Sequence, residues 1–163
     1  MEKYVVSARK YRPTKFDDVI GQNHVTTTLK NAIKNNKVAQ SLLFCGPRGV
    51  GKTTCARILA NEINEFNIND PLDSSNNLNI YELDAASNNS VDDIRNLIDQ
   101  VRYAPQAGKY KVYIIDEVHM LSNAAFNAFL KTLEEPPSYA IFILATTAVS
   151  YTHLRAHETP EHL

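Results

Sequence analysis

Apolar positions along this chain follow two different periods in turn. Short runs that are apolar almost throughout occur at SLLFC (41–45) and AIFILATT (140–147), and KVYIIDEVHML (111–121) opens with a third. Such runs fit strands buried on both faces, and IYELD (80–84) reads as a shorter strand. Between them the spacing becomes helical. In NHVTTTLKNAIKNN (23–36), Val25, Leu29 and Ile33 lie one turn apart, with Asn23 placed as N-cap. KTTCARILANEI (52–63) reads as a helix. SVDDIRNLIDQVRY (90–103) sets Ile94, Leu97, Ile98 and Val101 at i, i+3, i+4 and i+7 behind a Ser90/Asp93 capping box. SNAAFNAFLKTLEEPP (122–137) is capped by Ser122, stopped by Pro136, and carries Phe126, Phe129, Leu130 and Leu133 on one face. Strands alternating with helices imply an α/β fold of three layers around a parallel sheet. NEFNINDPLDSSNNLN (64–79) has the composition of a solvated loop.

Composition changes this picture little. A chain of 163 residues with 44% hydrophobic content is long enough for one domain with its own core. The formal net charge is −1, from 17 basic and 18 acidic residues, so any nucleic-acid contact must come from a local patch. The N-terminal stretch has no apolar segment of signal-peptide length and no run reaches a membrane span, which reads as a cytosolic protein without membrane contact. Cys45 and Cys55 stand in different contexts and read as two buried thiols, not as a disulfide framework or a zinc site.

The chemistry is concentrated after the first strand. Residues 46–53, GPRGVGKT, fit the phosphate-loop pattern G-x-x-x-x-G-K-[ST], with a strand before and a helix after. Glycines let backbone N–H groups turn towards an oxyanion, Lys52 adds a mobile cation for β- and γ-phosphates, and the Thr53 hydroxyl is suited to Mg²⁺. VYIIDE then delivers Asp116 and Glu117 at a strand's carboxyl end, where ligands of open α/β sheets sit. Asp116 would hold the Mg²⁺ shell and Glu117 would polarise an attacking water, which fits hydrolysis better than transfer to a second substrate. Thr146 and Thr147 end the next strand where a hydroxyl would meet a γ-phosphate or the water. His119 reads as a packed or hydrogen-bonded surface histidine. DEVH also matches the D-E-x-H box of two-domain helicases, which need a second ATP-binding half and far more chain.

Several stretches together resemble one family. ARKYRPTKFDDVIGQ, GPRGVGKT, ELDAASNNSVDDIRNLID, KVYIIDEVHMLS, AFNAFLKTLEEPP and FILATT are similar to the gamma/tau subunits of bacterial DNA polymerase III, clamp-loader ATPases of the AAA+ class. The resemblance runs from about residue 4 to Thr147. It implies a three-layer P-loop NTPase with strand order 5-1-4-3-2, using ATP and Mg²⁺. The implied partners are the other clamp-loader subunits of a hetero-pentamer, a sliding clamp and primed DNA. It further implies Tyr11, Arg12, Pro13, Val19 and Ile20 near adenine and ribose. Gly46, Pro47, Arg48, Gly49, Val50, Gly51, Lys52, Thr53 and Thr54 would lie around the phosphates. Thr53 and Asp116 would serve the metal, and Glu117, Lys52 and Thr147 catalysis, with Thr147 sensing the γ-phosphate. Arg95 and Lys131 would lie on helices facing a DNA channel, although each alone reads as a solvated surface charge.

Two departures stand out. Many members insert a four-cysteine zinc module after the phosphate-loop helix; residues 64–79 contain no cysteine, so a metal-free loop and no zinc are expected there. After ATT the family continues into a Ser-Arg-Cys segment, whereas this chain reads AVSYTHLRAHETPEHL. Arg155 matches no arginine finger, and His153, His157 and His162 have no surroundings that suggest a metal site. Residues 1–147 are therefore expected to be an ATPase domain truncated before its fifth strand, and 148–163 a non-native or disordered tail. Alone, such a fragment should be nearly inactive. Three other functions compete with an ATPase that loads clamps: a nucleotide-gated scaffold that hardly hydrolyses, another AAA+ ATPase that remodels DNA, and a small-molecule kinase, against which the Asp116–Glu117 pair argues.

Overall fold

The computed structural model describes residues 13–19, 23–65, 79–106 and 108–148. Among these, four strands make one parallel sheet: β1 (Ser41–Cys45), β2 (Ile80–Asp84), β3 (Lys111–Asp116) and β4 (Ala140–Thr146). Their order is β1-β4-β3-β2, in agreement with the expected 5-1-4-3-2 as far as the described strands extend. Within the described residues β1 pairs with β4 alone. The expectations for Tyr11, Arg12, Ile20, most of the loop 64–79 and the stretch 149–163 fall outside the described residues.

Among the described residues, four helices cover the sheet: α1 (Asn23–Lys34), α2 (Lys52–Asn64), α3 (Val91–Val101) and α4 (Asn123–Glu134). Strand periodicity divides the core between the two faces. Leu42, Phe44, Val112, Ile114, Ile141, Ile143 and Ala145 pack with α1 and α2 on one side. The residues between them, Leu43, Tyr113, Ile115, Phe142 and Leu144, pack with α3 and α4 on the other. The second core contains a stack of Tyr81, Tyr113 and Phe142, with Phe129 edge-on to Phe142 at 5.4 Å. The structure is thus α/β and three-layered.

Local signals explain most boundaries. The Ser90 hydroxyl accepts from Asp93 N–H at 3.2 Å, and the Asp93 carboxylate accepts from Ser90 N–H at 3.3 Å, the expected capping box. Ser122 caps α4 by accepting from Ala125 N–H at 3.1 Å. This helix stops at Glu134, short of the expected 137, because the residue before a proline disfavours helical geometry. α1 includes Asn23 instead of starting after it, and α3 spans 91–101 instead of 90–103. Asn64, assigned by composition to a loop, is buried at the end of α2. Its amide donates to Tyr110 C=O and its side-chain oxygen accepts from Lys109 and Tyr110 N–H, joining α2 to the start of β3.

Candidate nucleotide site

The site forms where β1, β3 and β4 end side by side. Gly46 N–H donates to Thr146 C=O at 3.3 Å, so the phosphate loop starts level with the end of β4. Gly49 and Gly51 have φ of 87° and 89°, a left-handed conformation that strains other residues. A Cβ on either would meet nothing within 4 Å, so conformation and not crowding calls for glycine. Gly51 directly precedes α2, and no side chain caps the helix start, which leaves its first N–H groups open to an anion.

Side chains complete the hollow. Lys52 Nζ donates to Gly46 C=O at 2.7 Å and to Pro47 C=O at 2.9 Å, which keeps the ammonium within the loop. The Thr53 hydroxyl donates to Asp116 Oδ2 at 2.6 Å, and Glu117 N–H donates to Asp116 Oδ1 at 2.9 Å. Glu117 takes φ 52°, a conformation costing a non-glycine residue on the order of 1–3 kcal/mol. This residue turns the chain out of β3 into the 3₁₀ turn Val118–Met120. Its carboxylate accepts from the Thr147 hydroxyl at 3.1 Å. Arg48, Gly49, Gly51, Lys52, Thr53, Thr54, Asp116 and Glu117 line this one hollow.

A second, more apolar hollow adjoins the same loop, lined by Val25, Phe44, Cys45, Pro47, Val50 and Cys55 together with Gly46, Gly51 and Lys52. The sequence pointed to Gly46, Pro47, Val50, Gly51 and Lys52 but not to Val25, Phe44, Cys45 and Cys55 as walls of this hollow. Cys45 was expected to be buried, but it is partly exposed, because the last residue of β1 faces this hollow as the chain leaves the sheet. Cys55 is buried as expected, and burial raises its thiol pKa. Val19 sits in the core beside Phe16 and Leu29 and lines neither hollow; nor does Pro13. His119 is hydrogen-bonded as expected, with Nδ1 2.9 Å from Thr146 Oγ1. Thr146 is fully buried and Thr147 is the threonine that reaches Glu117. Arg57, one turn along α2, forms a two-pronged ion pair with Glu82 of β2 at 2.6 and 2.7 Å, which raises the guanidinium pKa. Two oxygen donors, Thr53 and Asp116, meet at the floor; among the described residues no group of three or more His, Cys, Asp or Glu gathers as a metal cluster.

A family profile described as DNA polymerase III, delta subunit matches residues 21–152. The DNA polymerase III subunit tau of Bacillus subtilis is 50% identical over 155 residues, covering 88% of this chain and 28% of the relative. Subunit tau of Escherichia coli is 48% identical, with 88% and 24% covered. The chain thus spans about a quarter of the length of these relatives. Among solved structures, a gamma subunit-related protein of Thermotoga maritima superposes with a TM-score of 0.60 at 27% identity, covering 81% of this chain and 41% of that one. A RuvB variant of Thermotoga maritima superposes with a TM-score of 0.67 at 25% identity, covering 94% and 48%. On the phosphate loop, the acidic end of β3, the sheet order and these matches, the chain belongs to the DNA polymerase III subunit family of AAA+ fold and corresponds to the N-terminal region of its tau/gamma members.

Proposed function

We propose that the chain is the ATPase portion of a clamp-loader subunit, which binds and hydrolyses ATP to place a sliding clamp on primed DNA during replication. It would do so in the cytoplasm, within a hetero-pentamer of clamp-loader subunits. The observation that carries this reading is the contact of Thr53 with Asp116 beneath the Lys52 loop. A hydroxyl and a carboxylate on the floor, a lysine above and open glycine N–H groups between them suit a magnesium-bound triphosphate better than a neutral ligand. The relatives named as polymerase III tau subunits support the setting.

In this reading Lys52 exchanges its two loop carbonyls for phosphate oxygens, a charge-assisted contact stronger than the neutral-acceptor bonds it replaces. The loop N–H groups of residues 48–54 orient the phosphates, and Thr53 and Asp116 would hold Mg²⁺, which when bound neutralises charge on them. Glu117 orients and polarises the water, and Thr147, already within reach of Glu117, meets the γ-phosphate. The apolar hollow at Val25, Phe44, Cys45 and Cys55 offers a dry wall to the nucleoside, with Tyr11, Arg12 and Ile20 the sequence's further candidates there.

Two substitutions in the assembled full-length protein test this. Lys52→Ala should weaken ATP binding about ten- to a hundredfold, the loss of roughly 1.5–3 kcal/mol of charge-assisted contact. Glu117→Gln should bind ATP like the parent and lose hydrolysis, because the amide cannot polarise water as a carboxylate does. Equal ATP affinity in Lys52→Ala would remove the phosphate-loop reading; parent-rate hydrolysis by Glu117→Gln would remove the role given to Glu117.

A further inference from the structure

At the ends of β3 and β4, four side chains close a ring beside the phosphate hollow. The Thr147 hydroxyl donates to Glu117 Oε2 at 3.1 Å, and the same oxygen lies 3.5 Å from His119 Nδ1. His119 Nδ1 is in turn 2.9 Å from Thr146 Oγ1, and the peptide bond between Thr146 and Thr147 completes the circuit. Thr146 is fully buried, and its oxygen also accepts from Ala148 N–H at 3.1 Å. It is therefore a fixed post.

The backbone sets where the imidazole stands. Met120 N–H donates to Glu117 C=O at 2.8 Å, closing the 3₁₀ turn, while Val118 and Leu121 are buried in the α3/α4 core. His119 is thereby carried back over the carboxylate two residues before it. The side chains of His119 and Glu117 are only 24% and 20% exposed, so water competes poorly for their contact.

We propose that His119 is a positioning residue for Glu117, with its Nδ1 linking the catalytic carboxylate to the fixed end of β4. A neutral imidazole carries one N–H. With that proton on Nδ1 and directed at Glu117 Oε2, the ring holds the carboxylate beside Thr146 at the end of β4; directed at Thr146 Oγ1, it does not. With it on Nε2, Nδ1 accepts from the Thr146 hydroxyl and turns a lone pair towards Oε2, leaving Thr147 as the carboxylate's remaining tether in this ring. A phosphate that engages Thr147 would then free Glu117 to face the hollow. This rests on the ATPase reading above, and it assigns His119 a part in hydrolysis but none in nucleotide affinity.

The test uses the assembled full-length protein. His119→Phe keeps a flat ring without nitrogens, and His119→Asn keeps a donor close to the place of Nδ1. The Phe variant should lose about tenfold or more in kcat, in keeping with a displaced catalytic group, with ATP affinity within threefold of the parent; Asn should restore most of the rate. Independently of turnover, ring ¹⁵N resonances of His119 should shift in Glu117→Gln. Parent kcat in His119→Phe, no rescue by Asn, or ring resonances unmoved by Glu117→Gln would each overturn the proposal. A parent that does not hydrolyse ATP overturns the ATPase reading instead, and the ring spectrum then still decides whether His119 reads the state of Glu117.

Discussion

Tyr113 is fully buried in the middle of β3, and its hydroxyl has no hydrogen-bond partner among the described residues. Burial, then the neighbouring Tyr81 and Tyr139, pushes its pKa far above the ordinary tyrosine value. Tyr113→Phe keeps the stack on Tyr81 and Phe142 and removes the unsatisfied oxygen. It should unfold at a higher denaturant concentration, with a gain of about 1 kcal/mol. The pH dependence carries the sign. An unfolded tyrosine ionises near about pH 10, whereas folded Tyr113 keeps its proton, so the parent loses stability as pH rises through that value. Burial shifts Lys111 in the opposite direction, lowering its pKa, so its charged-state penalty lifts as pH rises towards the ordinary lysine value. The difference between parent and variant isolates Tyr113: urea midpoints that stay parallel between pH 9 and pH 11 would contradict it. At this scale the sequence was most legible where a residue's role is local. The glycines of the loop, Ser90, Asp93 and Ser122 act on N–H groups a few positions away. The exposure of Cys45 and the reach of His119 depend on what β4 brings alongside, and no spacing in the chain states that.

At the level of elements, β1 and β3 are both apolar and both feed the site, yet their pairing differs. β3 has β2 and β4 as neighbours, while β1 has β4 alone among the described residues. In this 163-residue chain, amides of residues 41–45 should therefore exchange faster than those of 112–115, since an edge strand opens without breaking a second ladder. Equal, strong protection of both would show that something further pairs with β1. Strand and helix identities were readable from period, and boundaries shifted by one to three residues where a proline or cap acted at short range. The order β1-β4-β3-β2 was not readable from period, because alternation says which face a residue occupies and not which strand lies beside it; the family resemblance supplied it. The Arg57–Glu82 pair between α2 and β2 was likewise invisible, since 25 residues separate its members.

For the whole molecule, a net charge of −1 provides no general attraction to DNA. Arg95 on α3 is exposed and weakly paired with Asp92 at 3.6 Å, and Lys131 is exposed in the last turn of α4, the helix packed against α3. If this surface faces primed DNA in the assembled loader, reversing both charges should weaken binding and flatten its salt dependence. Unchanged affinity and slope would leave both as ordinary surface residues. The two-sided burial of the sheet has a consequence for how such a chain can change over generations. Every residue of β4 is buried, and consecutive ones feed opposite cores. Inserting or deleting one codon there would send Ile141, Ile143 and Ala145 to the side built for Phe142 and Leu144, and the reverse, spoiling both cores at once. Point substitutions of similar volume can be absorbed within 140–146, but changes in length cannot; lineages can lengthen or shorten this protein only where the chain has left the sheet.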